Sequence, residues 1–256
     1  MTSGFKAVAV LLAALSPGFA GEEGQAFTNS LGMKFVRIPD TPLWVSVWET
    51  RVRDYAAYAE ATPGVPSFWR TPKYRGLMVT PGGDCPVVNV SLDEARVFCE
   101  WLSRKEGMAY RIPTDAEWAT IAGPELTGAL PRRWPPEARS ANFADAAALG
   151  AIPGLQGVEG YEDGFATAAP VGSFAPSRHG IYDLAGNVSE WTETVFDRRF
   201  PLEVVVRGAS WADFLEPDIR YPARCSGRSY DHFPTVGFRL VTAGPLGAPA
   251  PVKGRD

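Results

Sequence analysis

From residue 123 to residue 180 the chain carries no sustained period of either 3.6 or 2 residues. The stretch is rich in Gly, Ala and Pro. A structureless connection of that length is foreign to a compact domain unless a ligand or a metal orders it. Any fold for this chain must therefore hold a thick layer of irregular backbone, which argues against a helical bundle. Helix- and strand-breaking residues run throughout, with 26 Gly and 23 Pro among 256 residues. The 8 Trp, 8 Tyr and 14 Phe supply enough aromatic area to exclude disorder. The expected class is α+β, low in regular structure, with short strands and two to three helices.

Regular segments flank the aperiodic stretch. Residues 35–39 read as a short strand closed by Pro39, and residues 44–48 as a second. From Thr50 to Ala61 the period changes, with Val52, Tyr55, Ala56 and Ala59 on one helix face. Residues 62–86 read as a Pro/Gly loop and 87–90 as a strand. Ser91 and Glu94 have capping-box spacing, opening a helix through Ala95, Phe98, Cys99 and Leu102 to about Gly107. Thr114 and Glu117 repeat that spacing ahead of Trp118 and Ile121. Beyond the aperiodic stretch, residues 180–184, 189–192, 204–208 and 237–241 read as short strands.

Lys6 is the only charge in residues 1–20, residues 7–15 are apolar, and Gly18 and Ala20 offer a cleavage site. The apolar run is far short of the ~20 residues that a spanning helix needs. The expected organisation is a signal peptide at 1–20, one domain at 21–243 and a flexible tail at 244–256. The product would be exported, periplasmic or secreted, with no membrane span after signal cleavage. Cys85, Cys99 and Cys225 are an odd count without a C-x-x-C pair, so this is no disulfide scaffold. Lys and Arg number 25 against 29 acids, for a net charge of −4, and are scattered, which excludes a nucleic-acid partner. Two histidines, His179 and His232, read as turn residues and argue against a His-rich zinc or haem site. No G-x-S-x-G, H-E-x-x-H or P-loop pattern occurs.

Five segments in order carry a resemblance. They are Pro86-Val87-Val88-Asn89-Val90-Ser91 with the helix after it, Tyr110-Arg111-Ile112-Pro113-Thr114-Asp115-Ala116-Glu117-Trp118, Gly180-Ile181-Tyr182-Asp183-Leu184-Ala185-Gly186-Asn187-Val188-Ser189-Glu190-Trp191, Arg207-Gly208-Ala209-Ser210-Trp211, and Gly237-Phe238-Arg239-Leu240. Together they resemble the formylglycine-generating enzyme, or sulfatase-modifying factor, family from about Gly32 to Val241. The resemblance implies a C-type-lectin-like variant of α+β fold with bound structural calcium. One calcium would take side-chain oxygens of Asn142 and Asp163 and the carbonyls of Phe143 and Phe165. A second would take the carboxylates of Asp183 and Glu190 and the carbonyls of Gly186 and Val188. Oxygen sets of this kind suit calcium, a hard cation. Both ions would order residues 140–190.

The family's enzymes oxidise a sulfatase cysteine to formylglycine with O₂ and copper(I) held by two cysteine thiolates. The corresponding positions here are Asp213 and Asp218, just after Gly208-Ala209-Ser210-Trp211. Carboxylates cannot replace thiolates for copper(I), so copper is not expected. Ser210, Asp213 and Asp218 remain the family's active-site positions. The two acids read either as solvated loop residues or, with Glu216, as a new hard-metal or acid–base pair. Arg220, Arg224 and Arg228 would neutralise them. The family's disulfide partners for Cys99 and Cys225 fall at Leu240 and Ala122, so three free thiols are expected. Cys99 would be buried in its helix face, and Cys85 would be the reactive loop thiol. The functional expectation is an exported binding or accessory module with an unknown protein or small-molecule partner in the envelope. A divergent oxidase or protein-maturation enzyme using the same pocket stands as the alternative, with a carbohydrate-binding lectin-like protein as a third. Whether the chain is an enzyme stays open.

Overall fold

The computed structural model describes residues 26–123, 139–219 and 223–244. The expected signal peptide, Arg220 and all of the expected tail but Gly244 lie outside them. In chain order the elements are β1 (Ala26–Thr28), β2 (Lys34–Arg37), β3 (Trp44–Ser46), α1 (Val52–Ala61), a 3-10 turn (Phe68–Arg70), β4 (Lys73–Tyr74), β5 (Leu77–Met78), α2 (Leu92–Glu106), β6 (Tyr110–Arg111), α3 (Asp115–Ala122), α4 (Ala146–Ala151), β7 (Ser189–Asp197), β8 (Phe200–Arg207), α5 (Glu216–Ile219), β9 (Arg224–Arg228), β10 (Val236–Gly237) and β11 (Val241–Thr242). This is an α+β fold with few helices and short strands.

An antiparallel sheet runs in the order β1-β2-β3-β11-β6, and a second in the order β10-β7-β8-β9 with β10 parallel to β7. Alternate residues of the first sheet face opposite layers. Phe35, Trp44 and Tyr110 enter the main core with α1, α2 and the inner ends of β7 and β8. Val45 and Val241 face the other way, onto Trp118 and Ile121 of α3. Burial on both faces is why this sheet shows apolar runs rather than alternation in sequence.

The two capping boxes set the helices in place. Ser91 Oγ accepts the Glu94 N–H at 3.2 Å, and the Glu94 carboxylate accepts the Ser91 N–H at 2.9 Å. Gly107, left-handed at φ +66°, closes α2 by donating to the Ser103 carbonyl. Thr114 and Glu117 reproduce the box at α3. Helix α2 thereby turns Leu92, Ala95, Phe98, Cys99 and Leu102 into the core.

Two strand expectations fail, and a third, 237–241, is broken, with 238–240 irregular between β10 and β11. Residues 87–90 form no strand: Asn89 turns left-handed at φ +55°, and its N–H donates to the Phe233 carbonyl. Residues 180–184 are also irregular, with Asp183 at φ +61°. Among its described residues the aperiodic stretch contains one short helix, α4, capped by the Asp145 carboxylate on the Ala148 N–H at 2.9 Å. Residues 62–86 add the β4–β5 hairpin.

The irregular layer is organised by Asn187. Its side-chain oxygen accepts from Asn142 Nδ2 at 3.0 Å and the Ala169 N–H at 2.8 Å. Its own Nδ2 donates to Glu49 at 2.7 Å, and its backbone bonds Asn142 and Trp211. One side chain thus replaces the missing ladders of four segments. Gly186 is required for close approach: a Cβ there would stand 2.5 Å from the Asn142 carbonyl.

Candidate functional site

Strand β8 leaves the second sheet through Gly208, at φ +76°, and delivers Ser210 to the rim of a cleft of about 480 Å³. Ser189, Ser210, Asp213, Asp218, Arg224 and Cys225 line it. The three expected active-site positions are therefore brought together. Asp213 is not a freely solvated acid: Oδ2 accepts the Ser210 N–H at 2.6 Å and its O–H at 2.9 Å. The Asp213 N–H returns a bond to the Ser210 carbonyl at 3.1 Å. Burial, with a smaller push from Asp218, raises its carboxyl above the ordinary range against these hydrogen bonds. Asp218 lies on α5 and is exposed.

Of the three expected arginines Arg220 lies outside the described residues, and the other two do not bond the acids. Arg224 donates to Asp115 at 2.9 Å, and Arg207 pairs with the same carboxylate from the other side. Arg228 reaches the Tyr230 hydroxyl at 3.4 Å.

Sequence reasoning missed Cys225 as a cleft residue. It sits on β9, paired with Val206 of β8, and that register carries its thiol beside Ser210 and the two acids. Only the strand pairing, which linear spacing does not reveal, could have found it. Cys225 is exposed as a residue. Crowding of the sulfur by the cleft walls, then Asp213 and Asp218, push its thiol above the usual value. Cys85 is corrected in the opposite direction: it is buried against the Ala168 carbonyl and is no reactive loop thiol. Cys99 is buried as expected, and all three thiols are unpaired. Among the described residues no three His, Cys, Asp or Glu side chains gather around one point as a metal centre.

The residues implied for calcium fall in the irregular layer. Asp163 is buried, and its two oxygens accept the N–H groups of Phe143 and Phe165, each at 2.9 Å, with the Asp145 carboxylate beside them. Burial raises the Asp163 carboxyl to about 6. Asn142 Oδ1, also buried, has no hydrogen-bond partner among the described residues. This donor set fits a hard cation. The second set is differently engaged. Glu190 receives Arg239 in a two-pronged contact at 2.6 and 2.7 Å and Trp118 Nε1 at 2.7 Å. A guanidinium already neutralises it. Asp183 Oδ2 accepts the Gly172 N–H, while Oδ1 has no partner among the described residues. The Val188 N–H donates to Glu49, a fully buried acid that burial, Asp183 and Glu190 hold well above its ordinary range.

The irregular layer and the cleft are joined. The Ala144 N–H, next to Phe143, donates to the Asp213 carbonyl at 3.0 Å.

Residues 20–243 match the Sulfatase-modifying factor enzyme 1-like domain family. Inactive C-alpha-formylglycine-generating enzyme 2 of Bos taurus is 33% identical over 163 residues, 63% of this chain and 50% of that protein. Formylglycine-generating enzyme of Streptomyces coelicolor is 33% identical over 189 residues, 68% of this chain and 57% of that protein. The chain spans about half the length of the first of these relatives. The structure of PvdO from Pseudomonas aeruginosa shares the fold with a TM-score of 0.65 at 22% identity, covering 87% of this chain and 99% of that one. Among the described residues no helix is long and apolar enough to cross a membrane. A family match that takes in every described element makes this chain a member of the sulfatase-modifying factor enzyme 1-like domain family.

Proposed function

We propose that the protein is an exported, calcium-stabilised formylglycine-generating-enzyme-like domain without copper-dependent cysteine oxidase activity, acting as a binding or accessory module. The observation that carries the reading is the pairing of Asp213 with Ser210, which ties one of the two copper-cysteine positions into a turn. A carboxylate in that role offers neither the soft sulfur nor the geometry that copper(I) needs. Asn142, Asp163 and the carbonyls of Phe143 and Phe165 would hold calcium. The ion would supply positive charge to a buried acid and order the loop. The test is incubation of the purified chain with copper, O₂ and a sulfatase-type cysteine peptide. No aldehyde product is expected by mass spectrometry, and repeated turnover would overturn the reading.

One observation favours a second reading, a divergent oxidase or protein-maturation enzyme. The Cys225 thiol shares the cleft with Ser210 and both acids. Metal analysis of the protein from its native host separates the two. Calcium alone supports the binding module, and tightly held iron, manganese or copper supports the enzyme.

A further inference from the structure

Asp145 is wholly buried beside Asp163, and the two acids hold each other's loops. Asp145 Oδ2 accepts the N–H groups of Asp163 at 2.7 Å and Gly164 at 3.1 Å, while its Oδ1 caps α4. Asp163 in return accepts the N–H of Phe143, two residues before Asp145. Its other oxygen accepts the Phe165 N–H, so residues 163–165 form a turn that both carboxylates hold. Gly164, at φ +95°, lets the backbone take that turn.

Five backbone N–H groups relieve these two charges in part. Among the described residues no lysine, arginine or histidine bonds either carboxylate. The buried acids Asp54 and Glu190, by contrast, take Arg51 and Arg239. Like charges side by side in an interior repel, and buried charges persist where they are paired or hold a metal. The pair calls for positive charge from outside the chain. Asp145 Oδ2 is filled by two N–H groups, and Oδ1 is turned to the helix. Asp145 is thus placed to act on an ion at Asp163 through its charge and through the Asp163 backbone, without coordinating it.

We propose, resting on the calcium reading above, that Asp145 is a positioning residue of the loop cation site and makes that site choose ions by charge. The set formed by Asn142, Asp163 and the carbonyls of Phe143 and Phe165 carries one negative charge, and Asp145 doubles it. Ligand charge and rigidity are what tune the affinity of oxygen sites for calcium. Both come here from a residue that the ion does not touch.

The test uses the full chain, freed of metal by chelator and titrated with Tb³⁺ by luminescence and with Ca²⁺ by competition. The loop site is the part of the signal lost in Asp163→Ala. Asp145→Asn should weaken Ca²⁺ about tenfold and Tb³⁺ about thirtyfold, because the lost attraction scales with the charge of the ion. Gly164→Ala strains the turn and leaves the charge alone, so it should weaken both ions by a similar factor. Melting curves show which variants have folded. If Asp145→Asn does not fold, Asp145→Ser, which keeps an N-cap acceptor, takes its place. In the wild type Tb³⁺ should bind at least about tenfold more tightly than Ca²⁺. Equal affinities for the two ions there would overturn the proposal whatever the variants do. Unchanged binding in the Asp145 variant, or a loss of equal factor for both ions, would overturn it and leave the calcium reading standing. No saturable binding that depends on Asp163 would reject the calcium reading, and this proposal with it.

Discussion

Arg239 and Glu190, both fully buried, are locked together by two-pronged contacts of 2.6–2.8 Å. The remaining guanidinium donors reach the carbonyls of Ser46 at 3.2 Å and Tyr182 at 2.9 Å. One side chain therefore ties the Gly-Phe-Arg segment to β3, to β7 and to the loop before it. Removing one partner of such a pair leaves a naked buried charge, at a cost of about 3–5 kcal/mol. Arg239→Met should lose stability of that order in urea denaturation. Glu190→Gln combined with Arg239→Met should recover part of it. A single variant with wild-type stability would show that the pair contributes nothing.

Calcium should raise the melting temperature of chelator-treated protein. A ligand that binds only the folded state adds about 2.7 kcal/mol at a hundred times its Kd. Asp163→Ala should abolish the response. Glu190→Ala should destabilise by freeing Arg239 yet keep a calcium response. Superimposable melting curves with and without calcium would reject the loop as a cation site.

Alkylation should reach the thiols in a fixed order. Three free sulfhydryls are expected in denaturant, with Cys225 alone reacting in the folded protein. Its thiol is held above the usual value by enclosure and by Asp213 and Asp218, so its rate at neutral pH should be slow and should climb with pH. Asp218→Asn should speed it. Rapid labelling of Cys85, located by peptide mapping, would contradict the burial described for it.

Asn187→Ala should be among the most damaging single changes in the irregular layer. It strips the partners from the Ala169 N–H and a Glu49 oxygen and takes one of the two acceptors of Asn142 Nδ2, which keeps the Thr167 carbonyl. At about 1–3 kcal/mol per orphaned group, a loss of about 2 kcal/mol or more is expected in chemical denaturation. Amide exchange at Ala169 should quicken. Wild-type protection there would show that the loops are held by something else.

Local chemistry explains what could be read in advance. The helices at Ser91 and Thr114 announced themselves because a capping box lies within four residues of chain. The segments at 87–90 and 180–184 misled because their backbone groups bond partners far away in the chain, the Asn89 N–H to the Phe233 carbonyl and the Tyr182 N–H to the Val47 carbonyl. The same distance hid Cys225, which enters its cleft through pairing with Val206, and hid the cover that the Ala168 segment places over Cys85. Asp115 claimed Arg207 and Arg224 from across the fold.

The strand order β1-β2-β3-β11-β6 carries a consequence for how the chain is made. The place between β3 and β6 is filled by Val241 and Thr242, which pair with Val45 and Trp44 on one side and Arg111 and Tyr110 on the other. During vectorial synthesis β3 and β6 must wait, unjoined, until more than a hundred further residues have left the ribosome. Such non-local closure is slow and comes late. The first sheet thus stays in two unjoined parts until the last of its strands has been made.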